Sequence, residues 1–366
     1  SLLIATLLGI AVGCSTFAKR SDSGVVVAKR AQIRSSTAVV AADLLEVNRG
    51  DALDILDSVD VQDPNDNTRK ERWLRVQALD EKNTEGWIEA RNVMPDDVLD
   101  ASRRLADEDK SIAAQATGQL RASSNLRLSP DRSNNENIMM RLDSGSSFEI
   151  IGWRRVPKPG ASETIETDVA PKAGSAPAVG REVTTRRNEN EPEETNELWY
   201  KVRLSPSSSP APAGWIYGKQ VELTVPSDII FYRTGREFVA WQRLDGSSNE
   251  GDSLADKNAG RESRPGSWII LEKSSSNQPR RLDEPDFDRI YVVGYDKRNQ
   301  EHYTAYRSPD VKGFLPLRVD GRGENKTFTV RVENGGQIQE SQYSVYKDAR
   351  GILRVSPPAT EDRRRR

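Results

Sequence analysis

From Val25 onward, apolar positions come in short alternating or continuous stretches separated by polar turns, the pattern of β-strands rather than of long helices. In order, the chain runs through Ile33-Arg34, Leu45, Ile55-Leu56, Trp73-Leu74-Arg75-Val76 and Gly86-Trp87-Ile88. Asn48-Arg49-Gly50-Asp51 reads as a turn in which glycine supplies a positive φ. The same landmarks then recur as Leu126-Arg127, Leu142, Ile150-Ile151, Trp199-Tyr200-Lys201-Val202 and Gly214-Trp215-Ile216, with Ser144-Gly145-Ser146 at the turn. One spacing differs: Leu56 to Trp73 is short and Ile151 to Trp199 is long, so the second copy carries an insertion.

That insertion, residues 157–197, holds several prolines, many charges and no aromatic residue between Pro157 and Glu197, and is expected to be a disordered loop. Between the copies, residues 95–116 open with Pro95-Asp96-Asp97 and space Val98, Leu105 and Ile112 seven apart, which predicts a connecting helix. Its expected role is a spacer packing an apolar stripe on one copy. After Val225 the landmarks stop. Ile229–Tyr232, Glu237–Trp241, Trp268–Leu271, Ile290–Tyr295, Phe314–Leu317 and Thr327–Val332 read as strands, with turns at Asn334-Gly335-Gly336 and Lys347–Gly351. Residues 226–357 are therefore expected to form a mostly antiparallel β domain, with residues 358–366 a basic tail.

The order of landmarks resembles the bacterial SH3-like (SH3b) domain family, in which a Leu-Arg segment, a turn, a Trp-x-x-Val strand and a Gly-Trp-Ile strand follow one another. The resemblance covers about residues 25–94 and 117–223. It implies a mainly β protein: two small SH3-like β-barrels joined by a helix, followed by the C-terminal β domain. Members of that family in exported proteins commonly bind cell-wall peptide or other envelope proteins. The resemblance carries that suggestion to Trp73, Trp199, Tyr200, Trp87 and Trp215, whose aromatic faces offer contact area, and to Arg34 and Arg127, which suit a carboxylate.

The start of the chain adds a setting. The apolar run Leu2 to Gly13 ends in Ala11-Val12-Gly13-Cys14-Ser15, which resembles a bacterial lipoprotein signal. Twelve residues match a signal h-region and are too few to span a bilayer, which takes about 20. The resemblance implies cleavage after residue 13, lipid on Cys14, and residues 14–24 as a tether to the membrane. Ser15 resembles the pattern that sends such proteins to the outer membrane, facing the periplasm.

Composition limits the chemistry. The net charge is −2, with basic and acidic residues interspersed, so no nucleic-acid partner is expected. Cys14 is the only cysteine and His302 the only histidine, which excludes metal sites built from two or more His and leaves no thiolate nucleophile once Cys14 is acylated. His302 itself is expected at an exposed strand edge. No cofactor, metal or catalytic residue is assigned. The expected function is a lipid-anchored envelope protein whose SH3-like modules recognise peptidoglycan peptide. An adaptor gripping another envelope protein is the alternative, and a hydrolase in residues 226–357 a weaker one.

Overall fold

The computed structural model describes residues 22–63, 66–159, 195–245, 265–276, 280–322 and 325–358. The signal, Cys14, most of the insertion and the basic tail lie outside them. The protein is mainly β, and its sheets are antiparallel throughout. It divides at Asp96–Asp97 into two compact units.

The first unit is one seven-stranded sheet of β1 (Asp22–Val26), β2 (Arg30–Arg34), β3 (Asp43–Asn48), β4 (Ala52–Asp63), β5 (Asp66–Ala78), β6 (Glu85–Glu89) and β7 (Val93–Pro95), in the order β3-β2-β6-β5-β4-β1-β7. The second unit opens along α1 (Asp96–Glu108). A second seven-stranded sheet follows: β8 (Ala116–Leu120), β9 (Ser124–Arg127), β10 (Ile138–Leu142), β11 (Ser147–Pro157), β12 (Asn196–Arg203), β13 (Ala213–Tyr217) and β14 (Val221–Leu223). Its order, β10-β9-β13-β12-β11-β8-β14, repeats the first strand for strand.

The two copies agree to the residue. Val76 pairs with Ile55 and Val202 with Ile150, and each register then skips one position, Leu56 in one copy and Ile151 in the other, which is the extra residue of a β-bulge. Gly50 and Gly145, the two expected turn glycines, both have positive φ, 94° and 79°. Gly86 and Gly214, each opening a Gly-Trp-Ile strand, lie where the chain crosses a neighbouring strand. A Cβ on Gly86 would stand 2.5 Å from the Arg34 carbonyl oxygen, and one on Gly214 2.5 Å from Met139 Cε and 2.7 Å from Leu126 Cδ1. Inside the first copy Val26, Ile33, Leu53, Val76 and Ile88 form the core. In the second, Leu126, Phe148, Ile150, Val202 and Ile216 are fully buried.

The C-terminal part has two four-stranded sheets. One is β15 (Arg236–Arg243), β16 (Trp268–Ser274), β17 (Arg289–Asp296) and β18 (Glu301–Arg307); the other is β19 (Gly313–Arg322), β20 (Asn325–Asn334), β21 (Gln337–Lys347) and β22 (Leu353–Ser356). Ile269 and Leu271, Ile290 and Val292, and Phe328 and Val330 each stand two apart on their strands, so each pair faces one side, and all six share one core. Phe328 stacks on Tyr343 at 4.6 Å within it. Ile229–Tyr232, expected as a strand, is instead a tight turn: the Pro226 carbonyl accepts from the Ile229 and Ile230 N–H groups, both at 3.1 Å, and Ile230–Tyr232 form a 3-10 turn.

Gln115 pins this part to the second sheet. Its backbone N–H donates to Ile150 O at 2.7 Å and its carbonyl accepts from Trp241 N–H at 2.8 Å. Its side-chain amide donates to Leu317 O at 3.0 Å and accepts from Leu317 N–H at 2.6 Å.

Candidate functional site

The residues singled out by the repeats fall into two matching rows. Across β2, β6 and β5, Arg34 pairs with Trp87 and Trp87 with Arg75; across β9, β13 and β12, Arg127 pairs with Trp215 and Trp215 with Lys201. Directly paired residues share a sheet face, so each row is a tryptophan between two cations. The arginines, expected to meet a ligand carboxylate, are turned to the loop that follows their own strand. Arg34 donates to the Val39 and Ala41 carbonyls at 2.8 and 3.1 Å, and Arg127 to Asn134 O and Asn137 Oδ1 at 2.7 and 2.6 Å.

The tryptophans are likewise packed rather than presented. Trp73 is 5% exposed and Trp199 fully buried, with its indole nitrogen unpartnered. Tyr217 lies 5.6 Å from Trp199 and Arg132 sits 4.6 Å over Tyr217, while Arg154 sits 5.5 Å over the buried Trp215. In the second copy α1 packs on the same strands. Lys201 reaches Glu108 at 3.0 Å and Asp109 at 2.5 Å, Arg203 donates to the Asp109 and Ile112 carbonyls at 3.1 and 3.2 Å, and Ser102 Oγ bonds to the Ala213 backbone in both directions. The helix and the turn after it therefore lie on the sheet face at Lys201, Arg203 and Ala213, beside the end that holds Trp199. Trp87 and Tyr200 remain half-buried.

Tyr200 leads to the site that the sequence did not mark. A cavity of about 270 Å³ opens between β11 and β12 of the second sheet and β15 and β16 of the C-terminal part. Trp153, Tyr200, Leu198, Leu223 and Phe238 give it apolar walls, and Arg155, Lys273, Arg280 and Asp286 give it charge. Trp153 meets Tyr200 edge-on at 6.2 Å and donates its indole N–H to Asp286 Oδ1 at 2.6 Å. The other Asp286 oxygen accepts from Leu315 N–H at 3.0 Å.

Charges around the cavity are unevenly matched. Lys273 is paired to Glu284 at 2.7 Å; its burial pushes the ammonium pKa down, against the pull of that carboxylate. Burial acts to raise Glu284, but its bond to Lys273 and the nearby Arg280 and Arg155 hold it below its ordinary value. Arg280 is shared between Glu237 at 3.1 Å and Glu284 at 3.7 Å. Glu197 is held by Arg132. The Arg155 side chain is 10% exposed, yet it makes only one hydrogen bond among the described residues, at 3.4 Å to the Glu284 carbonyl, and stands 3.8 Å from Asp286. The Tyr200 hydroxyl makes no hydrogen bond among the described residues, and burial pushes its pKa up to about 12, with Glu237 acting in the same direction and Arg155 and Arg280 opposing it. Only the string Trp153-Arg154-Arg155, an aromatic followed by two cations, carried a local hint of this site.

His302 lies on the edge strand β18, but its side chain is not exposed. Its side chain is 7% exposed, between the rings of Tyr232 and Tyr295, with Nε2 2.8 Å from the Gly266 carbonyl and 3.9 Å from Asp228. The turn at residues 226–232, unforeseen as a turn, supplies Asp228 and Tyr232 against it. Among the described residues no cluster of His, Cys, Asp and Glu could hold a metal ion.

No protein-family model matches the chain, and no curated protein matches it. Two solved structures align along most of its length. NlpC2 from Trichomonas vaginalis is 9% identical over 92% of this chain and 91% of that one, at a TM-score of 0.16. NlpC1 from the same organism is 9% identical over 96% and 92%, at 0.15. Superpositions that poor carry neither fold nor activity across.

Proposed function

We propose that the chain is a non-enzymatic binding protein of the cell envelope, built of two SH3-like barrels joined by a helix and followed by a C-terminal β domain, and that it takes wall peptide in the cavity between the second barrel and that domain. The observation that carries the reading is the lining of the cavity, an aromatic wall facing a buried, under-bonded guanidinium, Arg155, beside an unbonded hydroxyl, Tyr200. Ligand sites combine a mostly apolar concavity with a few convergent polar groups in this way. The identical strand order and register of the two copies support the SH3-like assignment. A lipid on Cys14, and with it a place at a membrane facing the periplasm, rests on the sequence around that residue.

The test is co-sedimentation of residues 21–366 with purified peptidoglycan, beside Leu223→Trp, which fills the cavity from its rim. Pelleting of the wild type that Leu223→Trp loses, with the fold retained, supports the reading. A folded wild type that stays in solution overturns wall binding. A second reading, an adaptor for another envelope protein, is favoured by Val39 and Val40, 72% and 93% exposed on the loop between β2 and β3.

A further inference from the structure

We propose that the cavity is a carboxylate site: it takes one terminal residue of a peptide, with the free carboxylate between Arg155 and the Tyr200 hydroxyl and the side chain against Trp153 and Phe238. The inference rests on the cavity being the ligand site and adds its chemistry.

Arg155 decides the ligand's charge. A guanidinium carries five N–H donors, and this one is nine-tenths buried with a single long bond. Its remaining donors are open to the cavity it lines, and a planar carboxylate meets such donors two at a time. Its one ion-pair partner among the described residues, Asp286 at 3.8 Å, is not hydrogen-bonded to it. Asp286 is fixed by Trp153 on one oxygen and by the Leu315 N–H on the other. Glu284 is committed to Lys273 and Arg280, Glu237 to Arg280, and Glu197 to Arg132. Lys273 and Arg280 are already matched by Glu284 and Glu237, so Arg155 is the cation that an entering carboxylate would engage.

Size decides the rest. At about 270 Å³ the cavity is just below the range of roughly 300–1,000 Å³ that holds drug-sized ligands. One residue with its carboxylate fits that scale better than a run of residues. The Trp153 edge and the Phe238 ring offer it an apolar seat.

The experiment titrates the folded chain with N-acetylphenylalanine and, separately, with its carboxamide, which differs only in the charge at the terminus. The expected result is at least tenfold tighter binding of the acid, an advantage that falls below threefold in Arg155→Gln and shrinks several-fold in Tyr200→Phe, which keeps the ring. Leu223→Trp should abolish binding of both. Equal binding of acid and amide overturns the carboxylate assignment and leaves the cavity as the ligand site. Binding of neither to the folded wild type overturns both.

Discussion

The side-chain amide of Gln115 pairs with the backbone of Leu317 in both directions, donating at 3.0 Å and accepting at 2.6 Å, as a neighbouring strand would. Two residues far apart in the chain thus close the seam between the second seven-stranded sheet and the C-terminal sheets, and Gln115 is fully buried there. Gln115→Leu keeps the bulk but leaves the Leu317 N–H without its acceptor. A loss of about 1–3 kcal/mol in unfolding free energy is expected, the cost of one orphaned buried group. Denaturant unfolding measures it, and an unchanged midpoint would show that the pairing contributes nothing.

Trp199 is fully buried. Trp199→Ala is expected to cost about 3–5 kcal/mol, the range for truncating a buried aromatic residue. Any loss of ligand binding in that variant should track the unfolded fraction measured by circular dichroism. Full folding with binding lost would return Trp199 to the ligand surface.

The two crossing glycines should respond unequally. Gly86→Ala drives a Cβ against a backbone oxygen, which cannot step aside, whereas Gly214→Ala meets the tip of Met139 first. Overpacking costs about 1–3 kcal/mol, and Gly86→Ala is expected at or above the upper end with Gly214→Ala below it. Thermal melts of the two variants decide the order.

Alkaline pH should weaken the fold through Tyr200. Its folded-state pKa, pushed up to about 12, stands above the ordinary 10.0. Between those values the unfolded chain sheds the phenolic proton and the folded chain keeps it, so the folded state binds more protons and stability falls as pH rises. Below pH 10 both states are protonated and the contribution is whole. Tyr200→Phe should therefore show a shallower decline from pH 10 to 12 in denaturant titrations; parallel curves would place the hydroxyl in water.

The end of α1 depends on Lys201 and Arg203. Arg203 supplies donors to the Asp109 and Ile112 carbonyls just beyond the helix, the first of which also accepts from the Ile112 N–H at 2.9 Å. Lys201→Met should leave the sheet intact while hydrogen exchange in residues 97–109 quickens about tenfold. Unaltered protection would mean that Arg203 and Ser102 hold the helix without Lys201.

Much of the architecture was legible because the repeat repeats physics as well as letters. Leu56 and Ile151 are equivalent in sequence and occupy the same bulge, and the turn and crossing glycines recur where sterics require them. What escaped was any property set by distant partners. Trp199 is fully buried, and nothing near it in sequence announces that Tyr217, with Arg132 over its ring, will pack against it. The strands β18 and β21 carry polar residues on most positions, as in Gln337-Ile338-Gln339-Glu340, because one face meets water, and so they were not read as strands. The cavity draws on Arg155, Tyr200, Phe238 and Lys273, from four strands, and no periodicity links them.

The hairpin of β11 and β12 has a practical consequence. Its stem is closed by the Lys158 N–H donating to Thr195 O at 2.9 Å, while in the first copy the matching hairpin turns between Asp63 and Asp66. One sheet register thus accommodates connections of very different length, and each doubling of a flexible connection costs only about 0.6 kcal/mol of closure entropy. Residues 159 and 195, the described ends of this connection, are accordingly the points between which a fluorescent reporter can be spliced without interrupting a described strand.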